Sequence, residues 1–167
     1  MTIEIKDQQG RTYERFTASL LLVAGIAYLA LWVISIFSET SSFVHFDNDK
    51  ISLNRSDLLA HLRTLIIVVL SIGGSVLLFR RQRAGWLMST VVLILFLVIC
   101  SGGMYQAVKL NEAPLIAAAG FAWFILFLSL LFLMVAATRR KFRIGSSILL
   151  TTLLLSACLG LFYFFVQ

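Results

Sequence analysis

Polar residues in this chain come in short clusters and apolar residues in long runs. The apolar runs cover residues 16–37, 58–79, 84–108, 114–138 and 144–166. At ~1.5 Å of rise per residue, each run as a helix reaches across a hydrocarbon core ~30 Å thick. The pattern therefore predicts an all-α integral membrane protein, with five transmembrane helices in a compact bundle. It divides the chain into a polar tail, 1–15, and a single transmembrane domain, 16–167.

The segments between the runs are short except for one. Residues 38–57 form the substantial loop, in which Phe43-Val44-His45-Phe46 and Ile51-Ser52-Leu53 flank the polar Asp47-Asn48-Asp49-Lys50. Two short apolar stretches around Asp and Asn predict a small β-hairpin, lying on the membrane surface or capping the helix ends. Ser56 or Asp57 is the predicted N-cap of the second helix, and Pro114 suits the first turn of the fourth. In the tail, Thr2-Ile3-Glu4-Ile5 alternates and Asp7-Gln8-Gln9-Gly10 follows. That pattern allows a short strand and turn or a solvated tail. It is not a signal peptide, because the apolar run behind it is too long and no small-residue cleavage site closes it.

Charge gives the threading. Short basic links stay on the cytoplasmic side. Arg80, Arg81 and Arg83 fill the link between the second and third runs, and Arg139, Arg140, Lys141 and Arg143 the link two runs later. With Lys6, Arg11 and Arg15 these make ten cations on one side, against Lys50, Arg55, Arg63 and Lys109, four on the other. The expected topology has the N-terminus in the cytoplasm and the C-terminus outside, in a plasma membrane, with a bacterial inner membrane the best fit. Trp86 and Tyr105 then fall at opposite interfaces, as aromatic belts do.

Composition agrees with this reading. Hydrophobic residues make up 60% of the 167, the mean hydropathy is +0.96, and proline occurs once. The net charge of +6 does not imply nucleic acid, because the excess sits in the links, where it sets orientation and meets lipid headgroups. Cys100 and Cys158 fall inside apolar runs at similar depth. They read as small buried apolar residues rather than as a disulfide. Asn54-Arg55-Ser56 matches a glycosylation sequon, but it abuts the second helix.

Candidate chemistry is sparse. No Asp, Glu, Lys or Arg lies near the middle of any run, although ion-coupled transport generally needs such a group. The predicted polar constellation is on the outer side: His45, Asp47 and Asp49 in the loop, with Asp57 and His61 four apart on one helix face. Imidazole and carboxylate groups are ligands for divalent metals, so this set is a candidate metal site. No other cofactor is implied. Nucleophile elbow, HExxH, glycine-rich phosphate loop and CxxC patterns are absent from the sequence. Helix packing is the clearer signal. Small residues recur every four positions at Ser71 and Ser75, at Ala118 and Ala122, and at Thr152, Ser156 and Gly160. Such faces let backbones approach in lipid. Ser101-Gly102-Gly103, late in the third run, either loosens that helix or lets a neighbour or ligand approach closely.

These features predict a non-enzymatic polytopic protein: an accessory, assembly or scaffold subunit whose partners are the bilayer, other membrane subunits or further copies of itself. The alternatives are a homo-oligomeric channel or transporter for a small uncharged solute, lined by Ser, Thr, Gly and Gln106, and an outer-face enzyme dependent on metal or lipid headgroups.

Overall fold

The structure is a computed structural model. It describes the backbone of residues 2–37, 44–47, 50–53, 55–135, 138–139 and 142–165, and the side chains of 12–35, 59–135, 138–139 and 142–161. The elements are α1 (Thr2–Phe37), β1 (Val44–Asp47), β2 (Lys50–Leu53), α2 (Arg55–Phe79), α3 (Arg83–Leu110), α4 (Ala113–Met134) and α5 (Ser146–Phe165). By length and composition four of the helices can cross a membrane: Thr12–Ser35 within α1, Leu59–Phe79 within α2, and the whole of α3 and α4. These four apolar helices are what a multi-pass membrane protein requires. α5, 20 residues long, is apolar over its described stretch Ser146–Leu161, and the fifth crossing predicted above is not among these four.

Several boundaries differ from those predicted. The polar segment before residue 16 is neither strand and turn nor tail: α1 begins at Thr2. Glu, Lys, Gln and Arg between residues 4 and 15 are good helix formers, no proline interrupts them, and a helix already fixed by the apolar run extends at little cost. α2 starts at Arg55, so Ser56 and Asp57 lie inside its first turn rather than capping it. There a carboxylate still meets the positive end of the helix dipole. α4 stops at Met134 because Val135 leaves the helical region (φ −56°, ψ 138°), four residues before the predicted end. The hairpin loop pairs antiparallel, from Val44 opposite Leu53 to Asp47 opposite Lys50.

The helices run alternately up and down, so the molecule has a basic-turn end (residues 80–83 and 139–143) and a hairpin end. Three chain reversals use one device. Arg81, Asn111 and Arg143 are left-handed, with φ of 56°, 55° and 52°. The amide after each bonds a carbonyl five residues back: Gln82 to Leu77 at 3.0 Å, Glu112 to Ala107 at 3.1 Å and Ile144 to Arg139 at 2.9 Å. This is the Schellman closure, which satisfies carbonyls that a helix end would orphan.

The core lies around the first half of α3 and is densest toward the basic-turn end. Ser71 Oγ donates to the Leu21 carbonyl at 2.9 Å and Ser75 Oγ to that of Ala18 at 2.7 Å, tying α2 to α1. Trp86, fully buried, donates its indole N–H to the Leu133 carbonyl at 3.0 Å. That carbonyl belongs to the last turn of α4, so the Trp86 indole serves as a donor to the C-terminal end of α4. At Gly85 a Cβ would overlap the Leu77 carbonyl carbon and the Leu78 nitrogen, and at Gly74 it would lie 3.2 Å from the Ser89 nitrogen. Backbone contact between α2 and α3 therefore needs glycine at Gly85. Tyr13 of α1 stacks on Phe132 of α4 with ring centroids 4.2 Å apart, closing the same end.

Candidate functional site

The hairpin end is built differently. On α3, residues 101–106 are all exposed, and a Cβ added at Gly102 or Gly103 would meet nothing within 4 Å. Among the described residues none takes up the close approach that these glycines allow. α4 meets α3 here through side-chain bonding: Trp123 of α4 donates to Ser101 Oγ at 3.2 Å, and Ser101 in turn donates to its own helix at Leu97, 2.7 Å.

Two cavities have Tyr28 in common. The first, about 360 Å³, lies between α1 and α2 and is lined by Tyr28, Leu31, Trp32, Ser35, Ala60, His61 and Thr64. None of these seven carries a fixed charge. Within it Trp32 donates its indole N–H to His61 Nδ1 at 3.0 Å. An imidazole accepting at Nδ1 carries its proton, when neutral, on Nε2. Trp32, like Tyr28 and Ser35, was not singled out by the sequence; an aromatic four residues from another on an apolar helix carries no signal until its partner on α2 is known.

The second cavity, about 390 Å³, opens between α1, α3 and α4. Leu20, Ala24, Ala27 and Tyr28 form its α1 wall, with Phe96, Ile99 and Cys100 from α3 and Phe121, Ala122, Ile125 and Leu126 from α4. It is apolar throughout apart from the Tyr28 phenol and the Cys100 thiol. Tyr28, packed on Phe96 at 5.3 Å between centroids, lines both cavities. A third, smaller recess of about 130 Å³ at the basic-turn end is lined by Glu14, Arg15, Leu78, Phe79 and Arg81.

The sequence-predicted residues distribute as follows. Of the candidate metal ligands, His61 is half-buried in the first cavity, with Nδ1 taken by Trp32, so a metal at this ring would have to use Nε2. The side chains of His45, Asp47, Asp49 and Asp57 lie outside the described residues. Among the described residues no group of three or more His, Cys, Asp and Glu is placed to hold a metal ion. Ser71 and Ser75 sit buried in the α1–α2 contact. Thr152 and Ser156 are buried but turn their hydroxyls onto their own helix, to Ile148 and Thr152 carbonyls at 2.7 and 2.8 Å. Gly160 faces open space, Ala118 is exposed, and Ala122 lines the apolar cavity. Arg80, Arg81, Arg83 and Arg143 are exposed in the turns, while Arg139 is half-buried with its Nε unpartnered. The side chains of Arg140 and Lys141 are outside the described residues. Cys100 and Cys158 are free thiols.

Three further buried hydroxyls, Thr17, Ser89 and Ser129, have no protein partner. They occupy α1, α3 and α4 at the level just inside the Tyr13–Phe132 and Trp86–Leu133 contacts. Compared with known protein families, curated proteins and solved structures, the chain matches none.

Proposed function

We propose that this protein is a non-enzymatic membrane module, an accessory, assembly or scaffold subunit that engages other membrane subunits through its helix faces and hairpin loop. The observation that carries this reading is the one-sided attachment of its last two helices. α5 packs mainly on α3 and bares Leu150, Leu153, Leu154 and Leu161, while α4 bares Phe121, Phe124 and Leu131. Such faces are satisfied by lipid and can equally be covered by a partner helix, because in a bilayer helices associate through shape and dispersion rather than hydrophobic exclusion. Meanwhile Leu21, Leu78, Trp86, Leu93 and Leu133 are fully buried. They fill the centre of the bundle, where a single-chain pore would have to run.

Mild-detergent purification of the tagged chain, followed by mass measurement and protein identification, tests the reading. The expected result is a stoichiometric complex with a different membrane protein. A closed ring of this chain alone would favour the second reading, a homo-oligomeric channel for an uncharged solute. What favours that reading is the exposed strip Ser101, Gly102, Gly103 and Gln106 on α3, which copies could turn inward.

For orientation we propose the basic-turn end in the cytoplasm of a bacterium, α5 as a fifth crossing and the C-terminus outside. In a chain with Cys100 and Cys158 replaced by Ala, a cysteine at Gln82 should react with an impermeant maleimide only after lysis, and one at Asn48 in intact cells. Swapped labelling overturns the orientation.

A further inference from the structure

Two patterns recur among the hydroxyls of this bundle. Thr64, Thr90, Ser101, Thr151, Thr152 and Ser156 bond the carbonyl four residues back on their own helix. Ser71 and Ser75 cross to carbonyls of α1. Thr17, Ser89 and Ser129 do neither, although each is fully buried. A helical Ser or Thr has the local bond within reach. Forgoing it in a packed interior is costly unless something else meets the group.

Helix register brings the three together. Thr17 stands seven residues from Ala24, Ser89 seven from Phe96 and Ser129 seven from Ala122, and those three partners wall the apolar cavity between α1, α3 and α4. Seven residues return a side chain to the same helix face within ~20°, ~10 Å along the axis. In each case the step is toward the basic-turn end. The contacts at that end fix the level. Tyr13, one turn before Thr17, stacks on Phe132, three residues after Ser129. Trp86, three residues before Ser89, reaches Leu133, four after Ser129. The hydroxyls thus share one level, between those contacts and the cavity. α2 adds no side chain at Gly74, where a Cβ would lie 3.3 Å from the Ser89 oxygen.

We propose that Thr17, Ser89 and Ser129 hold one buried water molecule at the junction of α1, α3 and α4. No direct bond joins any two of them, and one bridging molecule satisfies all three. Water donates and accepts, as hydroxyls do, and a buried water makes about three hydrogen bonds. An ion fits poorly, because the three groups are neutral and an unpaired charge in such an interior is costly. The water does for α4 what Ser71 and Ser75 do for α2: it joins the helix to α1 by hydrogen bonding.

The test uses the full chain in detergent, perdeuterated apart from its threonine methyl groups. Magnetisation transferred from water should reach the Thr17 methyl and should be lost in the double variant Ser89→Ala/Ser129→Ala. That variant keeps the Thr17 hydroxyl, so transfer relayed by this hydroxyl alone survives in it and overturns the proposal. No transfer in the parent overturns it as well. The Thr152 methyl, beside a hydroxyl bonded to its own helix, is the control and should not change. Reversible unfolding gives a second reading. Thr17→Val, Ser89→Ala and Ser129→Ala should each raise the unfolding constant about fivefold. The triple variant should fall well short of the product of the three, because the water is lost with its first partners. Multiplicative effects, or single variants at least as stable as the parent, mean three independent hydroxyls and overturn the bridge.

Discussion

The two ends of this bundle are made from the same four helices and packed by different means. At the basic-turn end, Gly74, Gly85, Ser71, Ser75 and Trp86 bring backbones into contact and join them by hydrogen bonds. At the hairpin end Met104, Tyr105, Leu115 and Phe121 are exposed, the helices are joined by the Trp123–Ser101 and Trp32–His61 side-chain bonds, and Tyr28 borders two cavities. In lipid a leucine gains little by leaving the acyl chains for another helix. Small residues and hydroxyl–carbonyl bonds decide where helices meet.

The largest effect should come from breaking the closed end at its tightest point. Gly85→Ala puts a methyl into the α2 backbone and should cost about 3 kcal/mol or more, whereas Gly102→Ala at the open end should change stability by no more than ~0.5 kcal/mol. Reversible unfolding in mixed micelles compares the two. Trp86→Phe removes both the indole donor to the end of α4 and part of a filled core, and a loss of ~2 kcal/mol is expected in the same assay. Ser75→Ala should cost ~0.6–1 kcal/mol, the range of a hydrogen bond between membrane helices. Smallest is Gly160→Leu, which meets open space and should be nearly silent. A loss like that of Gly85→Ala would show that α5 has a partner surface at that position.

Much of this contrast was legible in the sequence, but not all of it. The crossings followed from run length, and the hairpin from alternation around Asp47-Asn48-Asp49-Lys50. The Ser71–Ser75 spacing pointed to a face that the structure places against α1. The same four-residue spacing at Thr152, Ser156 and Gly160 did not settle how those residues are used: a Ser or Thr hydroxyl can bond its own helix as readily as a neighbour, and Gly160 is left uncovered. Gly85 was illegible because it follows Arg83-Ala84 at the start of a run, and its meaning comes from Leu77 across the turn. Arg81 and Arg143 hide the reversals for a related reason. A left-handed residue is usually glycine, and here two arginines of the basic links occupy the position. The cavity residues Tyr28, Trp32, Ala27 and Ala122 come from three runs whose relative rotation no single-run pattern contains.

The claim that one end is closed and the other open is tested most directly by hydrogen–deuterium exchange along α3 in detergent. This helix traverses both regimes. Amides at residues 86–96 should exchange only through global unfolding. Amides at residues 101–108 should exchange by local opening, with rates that Gly85→Ala leaves unchanged. Uniform protection from residue 86 to residue 108, lost as one unit in Gly85→Ala, would contradict the account.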